Sequence, residues 1–241
     1  VFVRSFADSN GDGIGDLRGL ADNLDYLNDG ADSTMTDLGI NGIWMMPINT
    51  SPSYHKYDVI DYYDIDDEYG TMEDFDYLVS ECNKRDIWLQ MDLVLNHTST
   101  EHAWFKAAVK AAQQGRSTFT DPDMLKYEFK RQESNPSGDG TGTWHRVQGT
   151  SDYWYLGNFS SNMPDVRLSN PSVRDEIKKI VDYWLEHGVH SFRLDAVPWA
   201  CANATEYNEE NGEFWTWFNE YCDEKGAQVF GKENDFIGVY C

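Results

Sequence analysis

The run FRLDAV places Arg193 and Asp195 on either side of Leu194. In an extended strand alternate side chains point the same way, so a guanidinium stands beside a carboxylate, keeps it ionised and orients it. An ionised carboxylate at a strand end is what a covalent nucleophile acting on a sugar requires; a structural ion pair is written in the same residues. A second run, MDLVLNHTS, closes an apolar stretch with Asp92, Asn96 and His97. In a βα barrel, polar groups at strand ends build the working face, which makes these three candidate site residues. On its own, His97 would read as a hydrogen-bonded structural histidine. A third run, SYHKYDVIDYYDI, gathers Tyr54, His55, Tyr57, Tyr62 and Tyr63 around Asp58, and Trp144, Tyr153, Trp154 and Tyr155 crowd a later stretch. Aromatic faces stack on the apolar faces of sugar rings and carboxylates accept from hydroxyls, so these residues suit a ligand wall as well as core packing.

The run DSNGDGIGD carries a different chemistry. Oxygen-bearing side chains recur at alternate positions, Asp8, Asn10 and Asp12, and Asp16 follows. Calcium takes six to eight hard oxygen ligands on a tightly curling loop, and this spacing offers those four side chains and the Ile14 carbonyl. The loop is not an EF-hand, whose twelfth position is a bidentate Glu, because Gly19 stands there. An Asx-turn cluster that needs no ion has the same residues, but four ligands in this register favour Ca2+.

Positioning such groups takes a scaffold, and the pattern supplies one. Short apolar runs at residues 1–6, 42–46, 87–93 and 189–194 alternate with amphipathic stretches at 17–27, 72–85, 171–187 and 212–224. That alternation predicts an α/β fold of βαβ units around a parallel sheet. The 171–187 helix has Asn170 as N-cap, Pro171 in its first turn and Gly188 just beyond its end. A polar excursion at 28–37 interrupts the first crossover, and residues 97–168 are too long for a plain loop, so they predict a small lobe with its own structure. The organisation read from this is 1–96, the first three strands and helices; 97–168, an inserted domain; and 169–241, the third helix, fourth strand, fourth helix and the approach to a fifth strand. A (β/α)8 barrel needs about 250 residues, and this chain spends 241 on about four units. Four units alone would leave open sheet edges, which implies half of a longer barrel.

With 19 Lys and Arg against 42 Asp and Glu, the formal charge of −23 argues against nucleic acid or an anionic membrane as partner. A chain that is 40% hydrophobic and 15% aromatic still buries a large core, so the charge does not signal disorder. No apolar run reaches the roughly 18 residues of a membrane span, and no targeting signal is written at the start. Cys82, Cys201, Cys222 and Cys241 form no CxxC pair, against a zinc ribbon or thioredoxin-like site. Cys82 reads as a small core residue, and a Cys201–Cys222 disulfide is left open.

Together the segments FADSNGDGIGDLRGL, GINGIWMMPI, YHKYDVIDYYDIDDEYGTMEDF, DLVLNH, MPDVRLSNPSVR and GVHSFRLDAV resemble the α-amylase family of glycoside hydrolases, in the family's order and over nearly the whole chain. The resemblance implies a (β/α)8 TIM barrel with a small B domain after strand three, and cleavage or transfer of α-glucosidic bonds with retention through a covalent glycosyl-enzyme. It implies Asp195 as nucleophile and Arg193 as the residue that orients it. Asp92 and His97 would hold the reacting glucose, Tyr57 would stack on it, Asp58 would complete the polar network, and Asn96 would support the site. The 8–16 loop looks like the calcium loop of the oligo-1,6-glucosidase-like branch and of many bacterial α-amylases.

Departures from the family pattern carry expectations too. The family's general acid, a Glu in a GEVW-like segment on strand five, has no match: the chain reads ENDFIGVYC there, and neither Glu233 nor Asp235 has the right context. The later His-Asp motif of strand seven is absent as well, so the 241 residues alone are expected to be inactive. The stretch AVPWAC lacks the His of a second calcium site, and Ala196 after the nucleophile leans toward α-1,4 bonds in starch or malto-oligosaccharides. A glucan transglycosylase or isomerase would share the same inner residues, a non-catalytic relative would tend to lose Asp195, and a calcium-dependent carbohydrate-binding module would not explain the Arg193–Asp195 strand end. Polymeric starch cannot enter a cell, which points to secretion or the cell surface. The patterns at Asn96, Asn158 and Asn203 match glycosylation acceptors too commonly to decide this.

Overall fold

The computed structural model describes residues 1–31, 35–139, 142–200 and 209–231. In chain order the elements are α1 (Leu17–Asp22), α2 (Leu24–Leu27), β1 (Gly42–Met45), β2 (Asn49–Thr50), β3 (Asp61–Ile65), α3 (Met72–Asn83), β4 (Trp88–Leu93), α4 (Ala103–Gln113), β5 (Phe129–Arg131), β6 (Trp144–Arg146), β7 (Tyr153–Leu156), α5 (Pro171–Glu186), β8 (Ser191–Leu194), α6 (Glu209–Glu224) and β9 (Gln228–Gly231). Strands β1, β4, β8 and β9 form one parallel sheet in that order, the α/β pattern of a barrel segment.

The two faces of this sheet differ. Ile43, Met45, Leu89, Met91, Leu93, Phe192 and Leu194 are buried and join the core, packed with Phe75 and Leu78 of α3 and Ile177 and Trp184 of α5. The alternate residues Trp44, Gln90 and Ser191 share a register with one another and line an open hollow of about 550 Å³ with Gln228 and Phe230. One step further along the ladder, Asp92 pairs with Arg193 on that same face.

Helix ends follow the sequence signals. Thr71 and Asp74 close a capping box on α3, and the Asn170 side chain accepts from Ser172 N at the start of α5. After α5 the chain turns at Gly188 with φ +89, where a Cβ would lie 2.6 Å from Val79 Cγ1, so the turn requires glycine on both conformational and steric grounds. Between β4 and α5 the chain forms α4 and an antiparallel sheet in the order β5-β7-β6.

Two expectations need correction. Residues 1–6 do not form a strand: Val1 reaches β1, its carbonyl accepting from Met46 N at 2.9 Å, but Val3–Ser5 is a 3-10 turn. The Arg4 and Ala7 carbonyls, which a strand would offer to a neighbour, instead accept from Gly15 N and Asp16 N of the returning loop. The fourth member of the sheet is β9, which the sequence marked only as an approach to a strand. Cys82 and Cys222 are buried thiols, whereas Cys201, Cys241, Asn203, Glu233 and Asp235 lie outside the described residues.

Candidate active site

The site forms where β4 and β8 end. Parallel register sets Asp92 directly beside Arg193, and strand alternation returns Asp195 to the same side. Arg193 Nη1 donates to Asp92 Oδ1 at 2.9 Å, to Asp92 Oδ2 at 2.8 Å and to Asp195 Oδ1 at 2.9 Å. Tyr57, brought in by the loop between β2 and β3, donates its hydroxyl to Asp92 Oδ2 at 3.1 Å. The Trp44 ring lies 5.1 Å from the Arg193 guanidinium and covers it by a cation–π contact. One guanidinium thus orients two carboxylates and is itself held by a ring and a buried partner.

Burial sets the electrostatics. Asp92 is 1% exposed, and loss of water pushes its carboxyl up to about 6 against the opposing pull of Arg193. It is therefore ionised at neutral pH, as its bonds from Arg193 require. Burial also raises the Tyr57 hydroxyl, which stays protonated as a donor.

His97 is buried on the segment just after β4, its ring 5.2 Å from that of Phe159. Burial pushes it down to about 4 against the upward pull of Asp195, so it is neutral at neutral pH. Its Nδ1 lies 3.3 Å from Asn96 Nδ2, which can only donate, and this assigns the ring proton to Nε2. The Tyr57 backbone lies close enough to favour the charged ring, yet among the described residues no acceptor meets hydrogen-bond geometry at Nε2. A buried donor without a partner is costly, and a ligand hydroxyl would satisfy it.

Asp58 belongs to a neighbouring network. It is buried and accepts from Ser51 Oγ at 2.8 Å and from Ser53 Oγ, with His55 Nδ1 at 3.9 Å. Of the residues singled out in the sequence, Asp92, Arg193, Asp195 and Tyr57 are in direct contact, His97 feels the charges of Asp195 and Asp58, and Asp58 is tied to serines. Sequence reasoning missed Ser51, Ser53, Trp44 and Phe159: Trp44 stands in the 42–46 strand run and Ser53 opens the 53–65 run, but none of the four carries a charge that would mark it as a site residue.

The 8–16 loop is built from local bonds. Asp8 accepts from Gly13 N at 2.8 Å, Gly11 N at 2.6 Å and Asn10 N at 3.1 Å, and these amides hold its carboxyl below the usual range. Asn10 and Asp12 repeat the turn toward Asp12 N and Ile14 N. Asp16 caps α1 through Gly19 N and also accepts from Ser9 N and Ser9 Oγ. No cluster of three or more His, Cys, Asp or Glu side chains suited to a metal occurs among the described residues. The exposed oxygens of Asp8, Asn10 and Asp12, one of them an amide, with the Ile14 carbonyl, still fit a hard cation by their donor chemistry.

Known proteins resemble this chain in sequence and fold. The family described as alpha amylase, catalytic domain, matches residues 1–233. "Alpha-amylase 3" of Dictyoglomus thermophilum is 42% identical over 230 residues, 95% of this chain and 41% of the relative. An oligo-1,6-glucosidase of Bacillus cereus is 39% identical over 199 residues, 82% of this chain and 34% of the relative. Among solved structures, Eubacterium rectale Amy13B superposes with a TM-score of 0.84 at 43% identity, covering 97% of this chain and 43% of that one. The trehalulose synthase MutB of Pseudomonas mesoacidophila superposes with a TM-score of 0.81 at 31% identity, covering 96% and 43%. The chain spans less than half the length of each of these proteins. With that family match over nearly its whole length, the chain belongs to the α-amylase family and carries part of its (β/α)8 catalytic barrel.

Proposed function

We propose that this chain supplies the nucleophile and the inner sugar-binding wall of a retaining enzyme acting on α-glucosidic bonds. The observation that carries the reading is the Asp195 carboxylate held 2.9 Å from Arg193, which is itself anchored on buried Asp92 beside Tyr57. Arg193 holds and aims the Asp195 carboxylate, and an Asp195 oxygen attacks the anomeric carbon while the bond to the leaving oxygen breaks. Tyr57 offers a ring to the apolar face of the glucose, and neutral His97 offers Nε2–H to one of its hydroxyls. The leaving oxygen takes its proton from a second carboxyl about 5–5.5 Å from the first. The sequence of this chain does not supply that acid in a recognisable motif, and the 241 residues alone are therefore expected not to cleave glycosides.

The substrate class we favour is starch or malto-oligosaccharide with α-1,4 bonds, supported by Ala196 after the nucleophile and by the D. thermophilum relative. The likeness to MutB supports a second reading, isomerisation or transfer, in which a sugar hydroxyl replaces water at the glycosyl-enzyme. Action on a polymer goes with secretion or the cell surface. We further propose that Asp8, Asn10, Asp12, Asp16 and the Ile14 carbonyl hold Ca2+, which would brace the loop preceding α1.

α-Glucosyl fluoride separates these questions, because fluoride leaves without an acid. Attack by Asp195 on C1 breaks the C1–F bond, and fluoride departs with the electron pair. Release by the wild type and its loss in Asp195→Asn is the expected result; release unaffected by the substitution contradicts the reading. Product analysis in the full chain with maltotriose, isomaltose and sucrose then separates α-1,4 hydrolysis, α-1,6 hydrolysis and isomerisation.

A further inference from the structure

Among the described residues, three that are not glycine adopt left-handed backbone, Lys56 at φ 64, Asp86 at φ 52 and Ala196 at φ 54. Asp86 turns the chain between α3 and β4, but the other two adjoin the site, Ala196 directly after Asp195 and Lys56 directly before Tyr57 and Asp58. Glycine is the residue that takes this conformation without strain, and a long cationic side chain is a poor choice for it. Lys56 is also only 2% exposed, the burial least natural to a lysine. A residue that is both strained and buried persists where its surroundings over-determine it.

The surroundings are a closed set of charges. Lys56 Nζ lies 2.8 Å from Asp66 Oδ1 and 2.7 Å from Glu68 Oε2, and it stands 5.4 Å from the centre of the buried Tyr69 ring. Glu68 is held in turn by Arg4 Nη1 at 2.7 Å. Two cations and two carboxylates therefore balance in one network. The network reaches the sugar-binding loop by a second route, because Asp66 Oδ2 accepts from Ser51 N at 2.9 Å and Ser51 Oγ donates to Asp58 Oδ1. The segment from Ser51 to Lys56 is thus pinned at both ends to the residues after β3, and Asp58 is tied back to it through Ser51.

We propose that Lys56 is a positioning residue for sugar binding: clamped by Asp66 and Glu68, it holds the left-handed turn that sends Tyr57 to Asp92 and Asp58 to Ser51. This rests on the glycosidase reading above. Lys56 touches no reacting atom. Its loss lets the Tyr57–Asp58 pair drift from the pocket, and misplacement on the scale of an ångström is enough to weaken a site heavily.

The test is fluoride release from α-glucosyl fluoride by the full chain, with KM and kcat measured well below each variant's Tm. Lys56→Met keeps the aliphatic stem and removes the clamp, and Lys56→Met/Asp66→Asn does so without stranding a buried charge if the single variant folds poorly. In folded protein the expected result is a KM raised about tenfold or more, with kcat lowered less. A merely structural role would reduce the amount of folded enzyme and lower the apparent kcat while leaving KM unchanged. Wild-type KM in the folded variants overturns the proposal alone. Absence of Asp195-dependent release from the wild type overturns the glycosidase reading, and the proposal with it.

Discussion

Two acidic constellations in this molecule follow opposite rules. The 8–16 loop is exposed and short-ranged: Asp8, Asn10 and Asp12 take amides from two to five residues ahead, and those amides hold the Asp8 carboxyl down. The Asp92–Arg193–Asp195 group is buried and assembled across 101 residues of chain, and burial drives the Asp92 carboxyl up despite its arginine. Carboxylates of one type are thus tuned in opposite directions by what surrounds them. The local group is organised by the chain itself and suits a structural ion, whereas the distant group exists only when the parallel ladder is in register.

Substitution at the two places should therefore differ in kind. Asp195→Asn is expected to lower fluoride release by about a thousandfold or more, whereas Asp8→Asn leaves its kcat and KM unchanged. Comparable losses in both would break the contrast. Arg193→Met strands Asp92 without its cation and is expected to cost about 3–5 kcal/mol in denaturant unfolding, the penalty for breaking a buried pair. If Asp92→Asn/Arg193→Met were no more stable than Arg193→Met, burial of an unpaired charge would not be the cause.

Titration sharpens the comparison. Protonation of Asp92 removes the charge that anchors Arg193, so kcat/KM for α-glucosyl fluoride is expected to fall as pH drops through about 6. Stability runs the other way for this group: a raised carboxyl pKa contributes stability fully below the ordinary value of 3.8 and loses it as pH rises through about 6. An acid limb near 6 that survives Asp92→Asn would assign it to another group. At the loop, the effects are smaller. Chelation should lower Tm by several degrees without changing KM, and an unaltered melting curve contradicts the calcium assignment. Asp16→Ala removes the cap of α1 and is expected to cost about 1 kcal/mol even in chelator.

Legibility in the sequence divided along the same line. The capped helix α5 was readable because Asn170, Pro171 and Gly188 act within a turn of its ends. The alternation of Arg193 and Asp195 was readable because a strand has period two. Residues 1–6 misled because their alternation is strand-like while the loop after them captures the Arg4 and Ala7 carbonyls. Strand β9 was missed because four residues ending in glycine carry little signal against its neighbours. Lys56 was passed over for a related reason: its partners Asp66 and Glu68 lie across the β2–β3 hairpin, and no periodicity marks a buried ion pair between loops. The aromatic wall was half legible, since Tyr57 does reach Asp92, while Trp144 and Trp154 of β6 and β7 pack with Leu156 into a separate small core.

The central claim is that Asp195, oriented by Arg193, accepts the glycosyl group. Incubation of the full chain with a fluorinated α-glucosyl fluoride that slows breakdown of the glycosyl-enzyme, followed by peptide mass mapping, tests it directly. The account predicts one added fluoroglucosyl group on the peptide containing Asp195, carried by that side chain. A glycosyl group on any other residue, or rapid turnover with Asp195 shown unmodified throughout, would contradict it.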